Sequence, residues 1–123
     1  MKISLSITFL LLTAVVFSQS AVFSVPYRTA KFPKTNEGVV LHYTYLVTNK
    51  GKSPLIIYAS DTECSCTDVQ LPSNPILPGE TKKIEVYFNT REKFFYQKRL
   101  ITLTTNTRRK IERLWLNVFV IPN

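Results

Sequence analysis

The sequence predicts an all-β fold: an immunoglobulin-like β-sandwich of about seven antiparallel strands behind a signal peptide. Three observations carry this expectation. Short segments rich in Val, Ile, Tyr, Phe and Thr alternate apolar and polar residues with the period of two that a half-buried strand requires. Turn signals such as Asn49-Lys50-Gly51-Lys52 and Pro78-Gly79 recur roughly every 8–12 residues. No window long enough for a helix shows a 3.6-residue period.

The chain opens with an address. Lys2 precedes an apolar run at residues 3–17, and Ser18-Gln19-Ser20 then offers small residues at alternate positions. That order of charge, apolar run and small residues reads as a signal peptide over 1–20, cut after Ser20, with one domain over 21–123. The run falls short of the roughly 20 apolar residues of a spanning helix, so a membrane contact is expected only if this segment is not cleaved. No cysteine lies near the cut to receive a lipid. The protein is therefore expected to be exported, periplasmic or secreted, with enough chain for one core.

The 16 Lys+Arg outnumber the 8 Asp+Glu, and only Lys2 leaves with the signal. A surplus of about +7 favours acidic proteins, anionic glycans or headgroups as partners, or else a soluble surface in which basic residues merely dominate.

Residues 21–33 mix apolar side chains with Pro26 and Pro33, an entry strand at a sheet edge where a missing N–H is tolerated. Lys34-Thr35-Asn36-Glu37-Gly38 is a turn cluster. Val39, Leu41, Tyr43, Tyr45 and Val47 then share one parity and Val40, His42, Thr44, Leu46 and Thr48 the other, the clearest strand of the first half. Gly51 is expected to take positive φ in the turn that follows. Residues 54–59 read as a short apolar strand ending where the cysteines begin, and residues 67–71 as another. Pro72, Asn74, Pro75, Pro78 and Gly79 form a loop, with Pro78-Gly79 as its tight turn.

Ile84, Val86 and Phe88 alternate with Lys83, Glu85 and Tyr87, and a longer strand occupies residues 94–105. After the basic turn Arg108-Arg109-Lys110, the last strand has Leu114, Leu116, Val118 and Val120 on one face and Arg113, Trp115, Asn117 and Phe119 on the other. Two partly apolar faces place that strand inside a sheet.

The order of motifs carries a family resemblance. Tyr43-Thr44-Tyr45-Leu46-Val47-Thr48-Asn49-Lys50-Gly51 leads to Pro54-Leu55-Ile56-Ile57. Then come Thr62-Glu63-Cys64-Ser65-Cys66-Thr67, Ile76-Leu77-Pro78-Gly79-Glu80 and Ile84-Glu85-Val86-Tyr87-Phe88-Asn89-Thr90. Together these resemble the bacterial domain of unknown function 1573, common in exported proteins of Bacteroidetes, over roughly residues 39–120. The resemblance implies a fold like the immunoglobulin-type domains of pilus chaperones and major sperm protein, and no established activity. The family often has a glycine before the penultimate strand. This chain has Lys93-Phe94-Phe95-Tyr96-Gln97-Lys98, which implies a differently shaped loop with exposed aromatics.

Cys64 and Cys66 are the only cysteines. In an extended strand their Cα atoms would stand about 6.6 Å apart, at the long end of disulfide geometry, so a bridge needs a bent backbone. Three readings stand open: a disulfide, as oxidising compartments favour; a soft-metal site for Cu(I), with His42 as third ligand; and a redox-active pair. Zinc is disfavoured, because a structural site wants four ligands. His42 is otherwise a half-exposed strand residue. Asp61, Glu63 and Asp68 flank the cysteines as turn residues commonly do.

No acidic pair, phosphate loop or Ser–His–Asp arrangement can be built from this sequence, and no enzyme is expected. Phe94, Phe95, Tyr96 and Arg99 are the candidate partner-binding residues, since Phe, Tyr and Arg anchor interfaces. Basic residues that merely protect strand edges are the alternative. The expected function is a non-enzymatic module binding a protein or cell-envelope partner and no nucleic acid. The alternative is a periplasmic Cys-Ser-Cys module for Cu(I) or thiol redox chemistry.

Overall fold

The computed structural model describes residues 19–123. The expected signal segment, up to residue 18, lies outside the described residues. Nine strands follow in order: β1 (Phe23–Ser24), β2 (Thr29–Lys31), β3 (Thr35–Asn36), β4 (Val40–Asn49), β5 (Ile57–Thr62), β6 (Thr67–Gln70), β7 (Thr81–Asn89), β8 (Phe95–Thr105) and β9 (Ile111–Ile121). They form two facing sheets, one in the order β1-β4-β7-β6 and one in the order β2-β9-β8-β5 with β3 also on β9. The immunoglobulin-like sandwich is as the sequence predicts.

The core is built by alternation. Tyr45, Val47, Ile84, Val86 and Phe88 from the first sheet meet Ile101, Leu103, Leu114, Leu116, Val118 and Val120 from the second, all buried. The parities read from the sequence for β4, β7 and β9 are the ones that pack. Tyr45 also spans the sandwich, its hydroxyl donating to the Trp115 carbonyl at 2.5 Å. Burial holds that hydroxyl well above the ordinary tyrosine pKa.

Three local expectations are corrected. The entry segment is two strands rather than one, and the turn cluster after it holds a third: β1 pairs antiparallel with β4, and past Pro26 the chain crosses to the second sheet, where β2 and then β3 pair parallel with β9. The segment changes sheet without reversing direction, so it is antiparallel to one neighbour and parallel to the other. The strand expected at residues 54–59 is β5 at Ile57–Thr62, while Leu55 makes an isolated bridge to Ile76.

Gly51 does not adopt positive φ, unlike Gly38 and Gly79. It is needed for close approach instead, since a Cβ there would lie 2.7 Å from the Val22 nitrogen and 2.8 Å from the Ala21 Cα. Pro78-Gly79 does form the expected turn, with Gly79 at φ 82° and the Glu80 N–H donating to the Leu77 carbonyl at 2.9 Å.

Candidate functional site

The chain passes from β5, an edge of one sheet, to β6, an edge of the other, through the cysteine corner. The corner is bent as a bridge requires. The Thr67 N–H donates to the Cys64 carbonyl at 3.2 Å, the Thr62 hydroxyl donates to the same carbonyl at 3.1 Å, and the two Cα atoms stand 5.1 Å apart with the sulfurs at bonding distance. The Asn89 N–H donates to the Cys66 carbonyl at 2.9 Å, which ties the corner to the end of β7. Both cysteines are half-buried, and Cys66 packs against the core.

His42 is placed elsewhere. It lies on β4, opposite Tyr87 of β7, with β7 between it and β6. Its ring stacks on Tyr87 at 4.6 Å and its Nε2 is bonded to Glu85 Oε2, which also accepts the Thr44 hydroxyl at 2.6 Å. The Thr44 hydroxyl, and then His42, hold the Glu85 carboxyl below its usual range. No group of three or more His, Cys, Asp or Glu side chains that could hold a metal ion occurs among the described residues.

Phe94 precedes β8, Phe95 and Tyr96 open it, and all three are exposed, Phe95 at 59% and Tyr96 at 62%. Phe95 takes a left-handed backbone, φ 65°, which is unusual for a bulky residue. Strand parity alone would put Phe95 with the inward residues 101, 103 and 105. Its ring instead meets Phe119, at 6.2 Å between centroids. Tyr96 pairs with Phe119 across the β8–β9 ladder, and the Lys34 ammonium stands 5.7 Å from the Phe119 ring. A hollow of about 350 Å³ beside these rings is lined by Lys31, Phe32, Lys34, Tyr96, Asn117, Val118 and Phe119.

Arg99 is not part of that surface. Its side chain takes the inward parity, with the guanidinium carbon 5.6 Å from the centre of the buried Phe88 ring. It donates to the Gln97 side-chain oxygen, and Gln97 donates in turn to the Phe94 carbonyl at 2.7 Å. Arg99 thus shapes the aromatic segment from behind. Sequence reasoning missed Phe119, Lys31 and Lys34 as neighbours of this segment. The outward parity of Phe119 was its only signal.

The family model described as "Protein of unknown function (DUF1573)" matches residues 23–120. The chain belongs to this family. The match reaches back beyond residue 39 to take in β1–β3, the segment that crosses between sheets.

Among solved structures, a protein of unknown function from Porphyromonas gingivalis W83 superposes with a TM-score of 0.74 at 14% identity, over 88% of this chain and 50% of its own. The chain therefore spans about half the length of that neighbour. The PapD-like domain 7 of human CEP192 gives 0.68 at 11% identity, over 100% of this chain and 99% of its own. The E. coli chaperone DraB gives 0.54 at 12% identity, over 83% and 56%. At these identities the likeness is one of fold. No curated protein matches the chain.

Proposed function

We propose that the protein is an exported, non-enzymatic immunoglobulin-like module that binds another protein or a cell-envelope component through the aromatic end of its five-stranded sheet. The observation that carries this is the exposed group of Phe95, Tyr96 and Phe119 with Lys34 beside it. Large rigid rings next to cations are typical interface anchors, and a left-handed backbone at Phe95 holds one ring where regular alternation would have turned it inward. The test compares immobilised wild-type protein with Phe95→Ala/Tyr96→Ala in cell-envelope extract. The expected result is a bound component that the double variant retains at least roughly tenfold less well, a loss of about 1.4 kcal/mol. Equal retention by both would refute the reading.

A second reading rests on the half-exposed Cys64–Cys66 pair. In an exported protein the pair is a disulfide; two electrons and two protons from an external dithiol would free both thiols, which could then exchange or hold Cu(I). Intact mass with and without alkylation, followed by anaerobic Cu(I), tests it. A pair that refuses alkylation until harsh reduction favours the structural role. Free thiols that retain one copper favour the metal site.

A further inference from the structure

At the far end of the same sheet, arginines surround one buried carboxylate. Glu112, at the start of β9, is 5% exposed. It accepts the Arg28 guanidinium at 2.9 Å and the Thr107 hydroxyl at 3.4 Å. Arg28 also donates to the Arg113 carbonyl at 3.1 Å, so its donor fork is fixed from two sides. The β8–β9 hairpin brings in two more arginines. The Thr105 N–H donates to the Lys110 carbonyl at 2.8 Å and the Lys110 N–H to the Thr107 carbonyl at 3.0 Å. That turn leaves Arg108 and Arg109 exposed at its centre.

Two adjoining hollows, of about 270 and 320 Å³, share Arg28, Arg109 and Glu112; Arg108 lines the first and Arg113 the second. Among the described residues, Glu112 is the only acid paired with any of these four arginines. Four positive charges thus meet one negative charge.

A guanidinium presents planar N–H donors that match an oxyanion two bonds at a time, and the Arg28–Glu112 pair already shows an arginine of this cluster on a carboxylate. The uncompensated charge is larger than a second carboxylate would neutralise. A phosphate group, with a charge of about −1.5 to −2 and three acceptor oxygens, matches it better. We propose that the two hollows form a cleft for a phosphate group. Arg109 is shared between its halves, Arg108 and Arg113 are its outer donors, and Arg28 is held in register by Glu112. The phosphate can be carried by a lipid headgroup or by a soluble molecule. The cleft is separate from the aromatic surface: Arg113 and Phe119 are six residues apart along β9, roughly 20 Å.

Isothermal titration of the purified protein with inorganic pyrophosphate tests the proposal, in parallel with sedimentation on phosphatidylcholine vesicles with and without phosphatidic acid. The expected result is saturable pyrophosphate binding, weakened at least ~10-fold in Arg108→Ala/Arg109→Ala with an unchanged melting temperature, since both side chains are exposed. Lys83→Ala/Lys98→Ala, which removes the same charge from exposed positions elsewhere on the sandwich, should bind as wild type. Sedimentation that needs phosphatidic acid and is lost in the arginine variant assigns the phosphate to a membrane. Pyrophosphate binding without sedimentation assigns it to a soluble molecule. No binding to either probe, or equal weakening in both double variants, overturns the cleft.

Discussion

Asn49 closes β4, and its side chain is the most heavily used polar group in the domain. It is 0% exposed. Its Nδ2 donates to the Ser53 and Ile76 carbonyls, each at 2.8 Å, and its Oδ1 accepts the Gly51 N–H at 2.9 Å and the Val22 N–H at 3.2 Å. One side chain therefore joins the entry segment, the turn after β4 and the loop before β7. Four hydrogen bonds at about 1 kcal/mol net each set an upper scale near 4 kcal/mol for Asn49→Ala. The two carbonyls soften the loss. Ile76 keeps its bond from the Leu55 N–H, at 2.8 Å, and Ser53 is half-exposed and can take water. The Val22 and Gly51 N–H groups each donate to Asn49 Oδ1 and to no other protein acceptor among the described residues. The expected cost is about 2–4 kcal/mol.

Asn49→Asp separates the roles, because it keeps the acceptor and replaces the donor with a carboxylate facing two carbonyls. It should cost at least as much as alanine at pH 7. Burial raises the folded pKa of such an aspartate above its unfolded value of about 4, so the deficit should be smallest below about pH 4, where both states are protonated, and grow as pH rises from there through the folded value. Urea denaturation followed by fluorescence of Trp115, the single tryptophan, is the assay. With a slope of about 1–3 kcal/mol per molar, a loss of 3 kcal/mol moves the midpoint by roughly 1–3 M. A shift worth less than about 0.5 kcal/mol for alanine, or an aspartate variant that behaves as wild type at pH 7, would refute the argument.

Gly51→Ala should destabilise by about 1–3 kcal/mol or more, because the new methyl meets backbone rather than a movable side chain; a denaturation midpoint unchanged from wild type would show that the entry segment is not seated on this turn. Glu85→Gln should flatten the acid side of the stability profile. The Glu85 carboxyl is held low by Thr44 and His42, so its contribution is present above about pH 4.5 and is lost as pH falls through its folded value; melting temperatures taken between about pH 6 and pH 3 check this, and parallel profiles for wild type and variant would refute it. Phe95→Gly relieves a left-handed backbone while deleting the ring, so melting temperature should hold or rise while retention of the envelope component falls; a drop in stability would mean that the ring packs as core rather than as surface.

The regular half of the fold was legible because its signal is local. Alternation at residues 84–88 and 114–120 fixes which side chains point inward, and each such choice is made within one strand. The pairing partner is a different matter. Nothing in residues 21–36 says that the chain leaves β4 for β9 after Pro26, since extended segments look alike whichever neighbour takes their hydrogen bonds. Asn49 and Gly51 read as ordinary turn residues from sequence because their reasons lie 27 to 31 positions away, in the entry segment. Arg28 and Glu112 are 84 residues apart, and no spacing rule connects them. The aromatic segment was visible as composition. Its division was not: Arg99 goes inward to Phe88, while Phe95 turns outward to Phe119.

All of the non-glycine residues with positive φ among the described residues lie at the two ends of β8: Glu92 in the connection before it, Phe95 at its first position and Lys110 in the connection after it. A left-handed residue with a side chain costs about 1–2 kcal/mol relative to regular backbone, and glycine relieves most of that. The chain does use glycine where a turn does no more than reverse direction, at Gly38 and Gly79. At the ends of β8 it keeps glutamate, phenylalanine and lysine, and hydrogen bonds hold two of them: the Glu92 N–H donates to Glu37 Oε1 at 2.8 Å, and the Lys110 N–H to the Thr107 carbonyl at 3.0 Å. One connection presents the aromatic rings and the other presents Arg108 and Arg109. Strain retained against an available alternative, at the two loops that carry distinctive surface chemistry, is what selection for those surfaces would leave behind. The sheets fix the distance between the two ends, and β8 is the strand that joins them.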